Sequence, residues 1–286
     1  MKSNMKKFVI VLASIMAASF LIAFAILYTT GGITAVTVSS SQIKSQEFFN
    51  ADEVNQIVID VVNTHVNVIA VVDKEVGVDF YGSITTNLTA GKPELVTDLK
   101  NGVLTISITY PKTITIGLIN MANLYLDVYV PNNFSKDIKV STVSGNLNIR
   151  KLSIENFNFK SISGYLEADS LSAKNLIIET TSGKVNLNGV EGKINADTIS
   201  GEITAVLKSF GSDLSIKTVS GEVNLSLPDS SEFKFKLGSV SGNIANDFGS
   251  KITFADSNNL EGSVGKGVFN ITIKTISGSI KITRSK

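Results

Sequence analysis

Cysteine and tryptophan are missing from this 286-residue chain, which holds one histidine, four prolines and only two arginines, Arg150 and Arg284. Without cysteine there are no disulfides, thiolate metal ligands or cysteine nucleophiles, and no lipid can be attached through an N-terminal Cys. The lone histidine, His65 in NTHVNV, has no second His or Cys with which to hold a metal and reads as a structural residue. Two arginines leave few planar forks for phosphate or carboxylate. Net charge is +1, from 26 basic and 25 acidic residues, so no bulk field draws the chain to nucleic acid. No cofactor is expected. With 43% hydrophobic residues the sequence can still build a core and is not disordered.

The N-terminus carries a targeting signal. After Lys2, Lys6 and Lys7 comes FVIVLASIMAASFLIAFAILY, Phe8 to Tyr28, a stretch without charge that is long enough to cross a bilayer as a helix. A cleavable signal peptide has a shorter apolar region, and Ala23-Phe24-Ala25 falls inside this one, so the segment reads as an uncleaved signal-anchor. Lysines flank only its N-terminal side, which keeps residues 1–7 in the cytoplasm and sends the rest outside. The expected localisation is a single-pass cell-membrane protein with its C-terminal domain outside the cytoplasm. Residues 29–51, rich in Thr, Ser and Gly at their start, read as a linker.

Beyond the linker the chain is strand-like throughout. Residues 52–135 contain alternating runs such as NQIVIDVV, HVNVIAVV and LYLDVYV, read as an irregular N-terminal β region or cap. Residues 136–286 repeat. TVSGNL begins at Thr142, and related hexads follow with corner pairs Ser144-Gly145, Ser163-Gly164, Ser182-Gly183, Ser200-Gly201, Ser220-Gly221, Ser241-Gly242 and Ser277-Gly278. The long last gap holds a degenerate copy near EGSV at Glu261, and Asn246 stands where other copies have an aliphatic residue. A period near 20 residues means stacked units that cannot bury their faces alone.

Aligned on the glycine, the position two residues after it is always aliphatic, and those seven and five before it are apolar. The residues between are mostly polar, the period of strands with one face in a core. The reading is an all-β solenoid with coils of about 20 residues, pairing edge to edge about 4.8 Å apart. Glycine is expected at the corner because the backbone there takes a shape that side chains with a Cβ resist, and the serine can bond the local backbone. A column of Thr or Ser runs three residues before each glycine, and a mostly aliphatic column two before. These sit on opposite pleats, and the pattern leaves open which points inward. The last strand, SIKITRSK, is expected to close the stack, with Lys281, Arg284 and Lys286 blunting its edge.

The repeated [ST]-[VI]-S-G-x-[VIL] coil, the Val130-Pro131 ending of the region before it and the final GVFNITIKTISGSIKI resemble the bacterial putative-adhesin family of domains of unknown function. That resemblance implies a β-solenoid behind a membrane anchor and a role at the cell envelope.

No catalytic motif competes with this reading. The Ser-Gly pairs lack the spacing of a nucleophile elbow and a triad histidine, and no helix follows Gly189 and Gly192 to make a phosphate loop. Glu202 and Glu222 follow their glycines in adjacent coils, but the same column elsewhere holds Asn146, Tyr165 and Lys184, the mixture of a solvated position. The sequence therefore points to a non-catalytic binding or sensing module, with an envelope protein or wall polymer as partner. A carbohydrate-active β-helix enzyme and an ice-binding surface of stacked T-x-S pairs are the other classes weighed.

Overall fold

The computed structural model describes residues 38–87, 92–110 and 121–285. The segment read as a signal-anchor lies outside these. Among the described residues no helix is long and apolar enough to cross a membrane. In chain order the strands are β1 (Val38–Asn50), β2 (Gln56–Val61), β3 (His65–Val71), β4 (Glu75–Asn87), β5 (Glu94–Lys100), β6 (Val103–Thr109) and β7 (Met121–Pro131). They continue with β8 (Asp137–Thr142), β9 (Leu147–Ser161), β10 (Leu166–Thr180), β11 (Val185–Thr198), β12 (Ile203–Leu207), β13 (Leu214–Lys217) and β14 (Val223–Pro228). The last six are β15 (Phe233–Ser239), β16 (Ile244–Asn246), β17 (Lys251–Ala255), β18 (Asn259–Val264), β19 (Phe269–Thr275) and β20 (Ile280–Ser285).

These strands form two long ladders joined at the Ser-Gly corner. The first runs β5, β6, β2, β8, the ends of β9 to β11, β13, β19, β15, β18 and β17. The second runs β1, β4, β7, β3, the starts of β9 to β11, β12, β14, β20 and β16. In the middle the pairing is parallel with each residue opposite its repeat equivalent, as in Leu147 with Leu166 and Phe157 with Leu176. A shorter third side, Leu152 to Ile154 against Leu171 to Ala173, closes these central coils. The bend into it puts Lys151 and Ser170, and Gly189 in the next coil, at positive φ of 54°, 58° and 62°. The core is the column set that periodicity selects: Leu147, Leu166 and Val185 after the corner, Phe157, Leu176 and Ile194 before it, all buried. Each such side chain contributes about 1.5 to 3 kcal/mol by leaving water.

At the corner the structure decides one alternative that the sequence left open and corrects one expectation. The Thr/Ser column points inward: Thr142, Ser161, Thr180, Thr198, Thr218, Ser239 and Thr275 are buried, while Val143, Ile162, Ile199 and Val219 are exposed. Each hydroxyl accepts the N–H of the glycine three residues on, for example Gly145 to Thr142 at 2.8 Å and Gly221 to Thr218 at 2.8 Å. The glycines themselves have no positive φ. A Cβ on Gly164, Gly183, Gly201 or Gly221 would instead overlap the carbonyl oxygen of the glycine in the preceding coil. Close stacking, not a left-handed backbone, is what excludes a side chain.

Coil order is not sequence order at either end. The Gly278 coil, β19 and β20, is slotted between the Gly221 coil and the Gly242 coil, since β19 pairs with β13 and β15, and β20 with β14 and β16. Lys281 and Arg284 thus lie on an internal strand, which corrects the expectation that SIKITRSK is the exposed edge. The segment around Glu261 and Gly262 is likewise no parallel coil: β17 and β18 form an antiparallel hairpin laid against β15. Phe210, Phe233, Phe235, Phe248 and Phe269 meet edge-on or tilted in this end, with centroids 5.2 to 6.0 Å apart. At the other end β6 and β7 stack outside β2 and β3, so the region before residue 136 belongs to the same two ladders. Residues 38–50, assigned to the linker on sequence, are strand β1, paired antiparallel with β4 along its whole length. Its half-buried face holds Ser41, Ile43, Ser45, Glu47 and Phe49, too polar to register as an alternating strand.

Candidate functional site

Side chains one, three and five residues past each corner glycine leave the second ladder on its outer face, because strand residues alternate sides. Register places Asn67, Asn148, Glu167, Asn186, Thr204 and Asn224 in one row. A second row holds Ile69, Arg150, Asp169, Asn188, Val206 and Ser226. Between them lies a groove of about 820 Å³ running from Ile69 to Val206, with Lys151 on its wall. Side chains brace one another across coils: the Asn148 amide donates to the Asn67 amide oxygen at 3.0 Å and the Asn188 amide to the Asp169 carboxylate at 3.1 Å.

Toward β1 the same face turns aromatic. His65 stacks on Tyr125, and Tyr125 on Tyr81, each pair with centroids 5.5 Å apart. Behind them the buried Asp127 accepts hydrogen bonds from Asn67 at 2.6 Å, Tyr81 at 3.1 Å and Tyr129 at 3.5 Å. Burial, then the Asp127 charge and its hydrogen bond, push the Tyr81 hydroxyl up to about 12, and the same causes raise Tyr129. Asp79 lies opposite Asp127 on β4, and its Oδ1 is buried with no hydrogen-bond partner among the described residues.

The Ser-Gly residues singled out in the sequence are gathered into one column on the corner. Their serines are exposed, and Ser144, Ser182, Ser200 and Ser241 donate to a carbonyl of the neighbouring coil at 3.2 to 3.4 Å. The column is thus engaged in holding coils together. Next to it, Lys184 pairs with Glu202 at 3.0 Å and holds that carboxyl below its usual range, chiefly through their hydrogen bond. A general acid needs the opposite shift. Among the described residues no three His, Cys, Asp or Glu side chains cluster as a metal site. His65, read as structural, does sit in a packed row, although on the face that carries the groove. That face was missed in sequence because its aromatics come from three distant strands; the row through Asn148 and Asn186 was visible in the aligned repeats as a column of hydrogen-bonding side chains.

Fold and face together define an all-β solenoid of the open-rack kind, presenting a groove lined by polar and aliphatic side chains. The chain belongs to the Toastrack family: the Toastrack DUF4097 model matches residues 54–164 and 101–283. A comparison with curated proteins finds no match. Among solved structures the chain is similar to a putative adhesin from Bacteroides fragilis, at 12% identity and a TM-score of 0.47, covering 85% of this chain and 98% of that one. It is also similar to a putative cell adhesion protein from Clostridium sporogenes, at 15% identity and a TM-score of 0.38, covering 86% of this chain and 100% of that one.

Proposed function

We propose that this chain is a non-catalytic binding module, anchored in the cell membrane by Phe8 to Tyr28 and displayed outside the cytoplasm, where it engages an envelope protein or wall polymer as an adhesin-like or sensing component. The observation that carries the reading is the groove on the outer face of the second ladder, a built concavity on a rigid repeat scaffold with hydrogen-bonding groups in every coil. Two findings support a non-catalytic role. Where a carboxyl is shifted, at Glu202 and Asp256, the shift is downward, toward a fixed charge. Asp127 is already occupied by three donors. The ice-binding reading is not supported, because the Thr column of the T-x-S pairs is buried and the corner presents the serines beside a column of aliphatics, Val143, Ile162, Ile199, Val219, Val240 and Ile276.

The test is capture of envelope proteins against capture of purified wall polymers by the full-length protein, with protease digestion of wall-stripped cells to read topology. The proposal expects capture of one of the two and a digestible C-terminal domain. No capture, or a mature N-terminus starting after Tyr28, contradicts it.

A further inference from the structure

We infer that the groove binds a neutral, linear glycan lying along the stack of coils. This rests on the binding-module reading above and adds the chemistry of the ligand. Charge comes first. The groove carries Arg150 and Lys151 against Glu167 and Asp169, two cations and two carboxylates, so it favours neither a polyanion nor a polycation.

The second observation is how these charges are left. On other faces, residues 19 apart in neighbouring coils pair: Lys160 with Glu179 at 3.0 Å and Lys174 with Glu155 at 2.5 Å. In the groove the same coil spacing brings Arg150 opposite Asp169, yet among the described residues none of the four charged groups forms an ion pair. Arg150, Lys151 and Glu167 remain available to a ligand, Asp169 accepts from Asn188 and Ser170 through Oδ1 alone, and the amides of Asn148 and Asn186 lie beside them. Amides, carboxylates and guanidinium together supply the mixed donors and acceptors that sugar hydroxyls, themselves both, require.

Geometry selects a linear polymer. A hydrogen-bonding side chain of changing identity, Asn148, Glu167, Asn186 and then Thr204, stands at each coil step of about 4.8 Å, so an extended chain of hydroxylated units running along the axis meets a polar group at every step. A peptide is disfavoured twice over. The strands of this face spend their backbone groups within the ladder, so no strand can be added here. The apolar part of the lining is aliphatic, Ile69, Ala70 and Val206 among it, and it lacks the buried aromatic anchor that protein interfaces use.

The experiment titrates the full-length protein in detergent with glucose, mannose and N-acetylglucosamine oligosaccharides, from disaccharide to octasaccharide, with polyglutamate and polylysine as charged controls. Affinity should rise with chain length for a neutral glycan. The double variant Arg150→Ala with Asn186→Ala, whose side chains bond no other side chain among the described residues, should weaken it about tenfold without moving the melting midpoint, and Lys174→Ala on another face should leave it unchanged. Preference for a charged control, or wild-type affinity in the double variant, overturns the inference. Envelope proteins captured while every glycan is refused overturns it and leaves the binding-module reading standing. If neither glycan nor envelope material is held, both readings fall.

Discussion

The corner of the stack and the outer face of the second ladder are built from the same coils, yet one repeats its residues and the other does not. At the corner, Gly201 meets the Gly183 carbonyl, Thr198 caps its N–H at 3.1 Å, and Ser200 reaches the coil below. Every coil faces that same packing problem, so every coil writes nearly the same letters. Three residues on, the row reads Asn148, Glu167, Asn186 and Thr204, polar throughout but free in identity. Backbone packing dictates the first column, whereas the second meets solvent or the tips of neighbouring side chains, as Asn148 meets Asn67.

The sharpest way to break the comparison is at a corner glycine. Gly201→Ala puts a Cβ into the carbonyl of the preceding coil and should cost on the order of 3 kcal/mol or more, because backbone on both sides must shift. Gly211→Ala and Gly249→Ala meet open space and serve as controls that should melt with the wild type. Urea unfolding of the three variants measures the difference.

A smaller loss is expected from Thr198→Val, which keeps the shape and deletes the acceptor of the Gly201 N–H. An orphaned buried donor costs about 1 to 3 kcal/mol. Ser200→Ala in the same corner removes an exposed bond at 3.4 Å and should cost about 0.5 kcal/mol or less. Equal losses for the two would mean that the buried and exposed hydroxyls are not distinguished by burial.

On the face, Tyr81 offers a pH readout. A phenol whose folded value is raised to about 12 contributes stability that is fully present below its ordinary value of about 10 and is lost as pH rises through the folded one. Ultraviolet titration should show one tyrosine ionising near pH 12 in the wild type, and Tyr81→Phe should remove it. If the highest titration persists in Tyr81→Phe, the Asp127 cluster is not arranged as described.

The smallest effect belongs to the second bend. Ser170 sits at φ 58°, a region that glycine enters freely, and Gly189 already fills the same column in the next coil. Ser170→Gly should therefore raise stability by about 0.5 kcal/mol, the relief of strain slightly exceeding the added chain entropy. A thermal melt below that of the wild type would count against strain at this bend.

The strands, the corner column and the inward apolar rows were legible in the sequence because each rests on local periodicity. Coil order was not. A parallel coil accepts any other coil with matching apolar columns, so nothing in TISGSI at Thr275 says that it lies between the Gly221 and Gly242 coils. Strand β1 was hidden by its serines and by pairing with a partner far along the chain. The choice between the Thr and aliphatic columns was hidden because a buried hydroxyl and an exposed valine invert the usual rule, and only the hydrogen bond to the glycine N–H explains the inversion. The Tyr81, Tyr125 and His65 row required the β3, β7 and β4 pairings before its members became neighbours.

One paired measurement tests the division between scaffold and site most directly: melting midpoint and ligand capture, recorded together for two multiple variants of the full-length protein. The first replaces the corner serines Ser144, Ser182, Ser200 and Ser241 with Ala, and the second replaces the groove residues Arg150, Glu167 and Asn186 with Ala. The account predicts a lowered midpoint with capture retained for the corner set, and an unmoved midpoint with capture lost for the face set. Loss of capture by the corner set at an unshifted midpoint, with the face set binding as wild type, would contradict it.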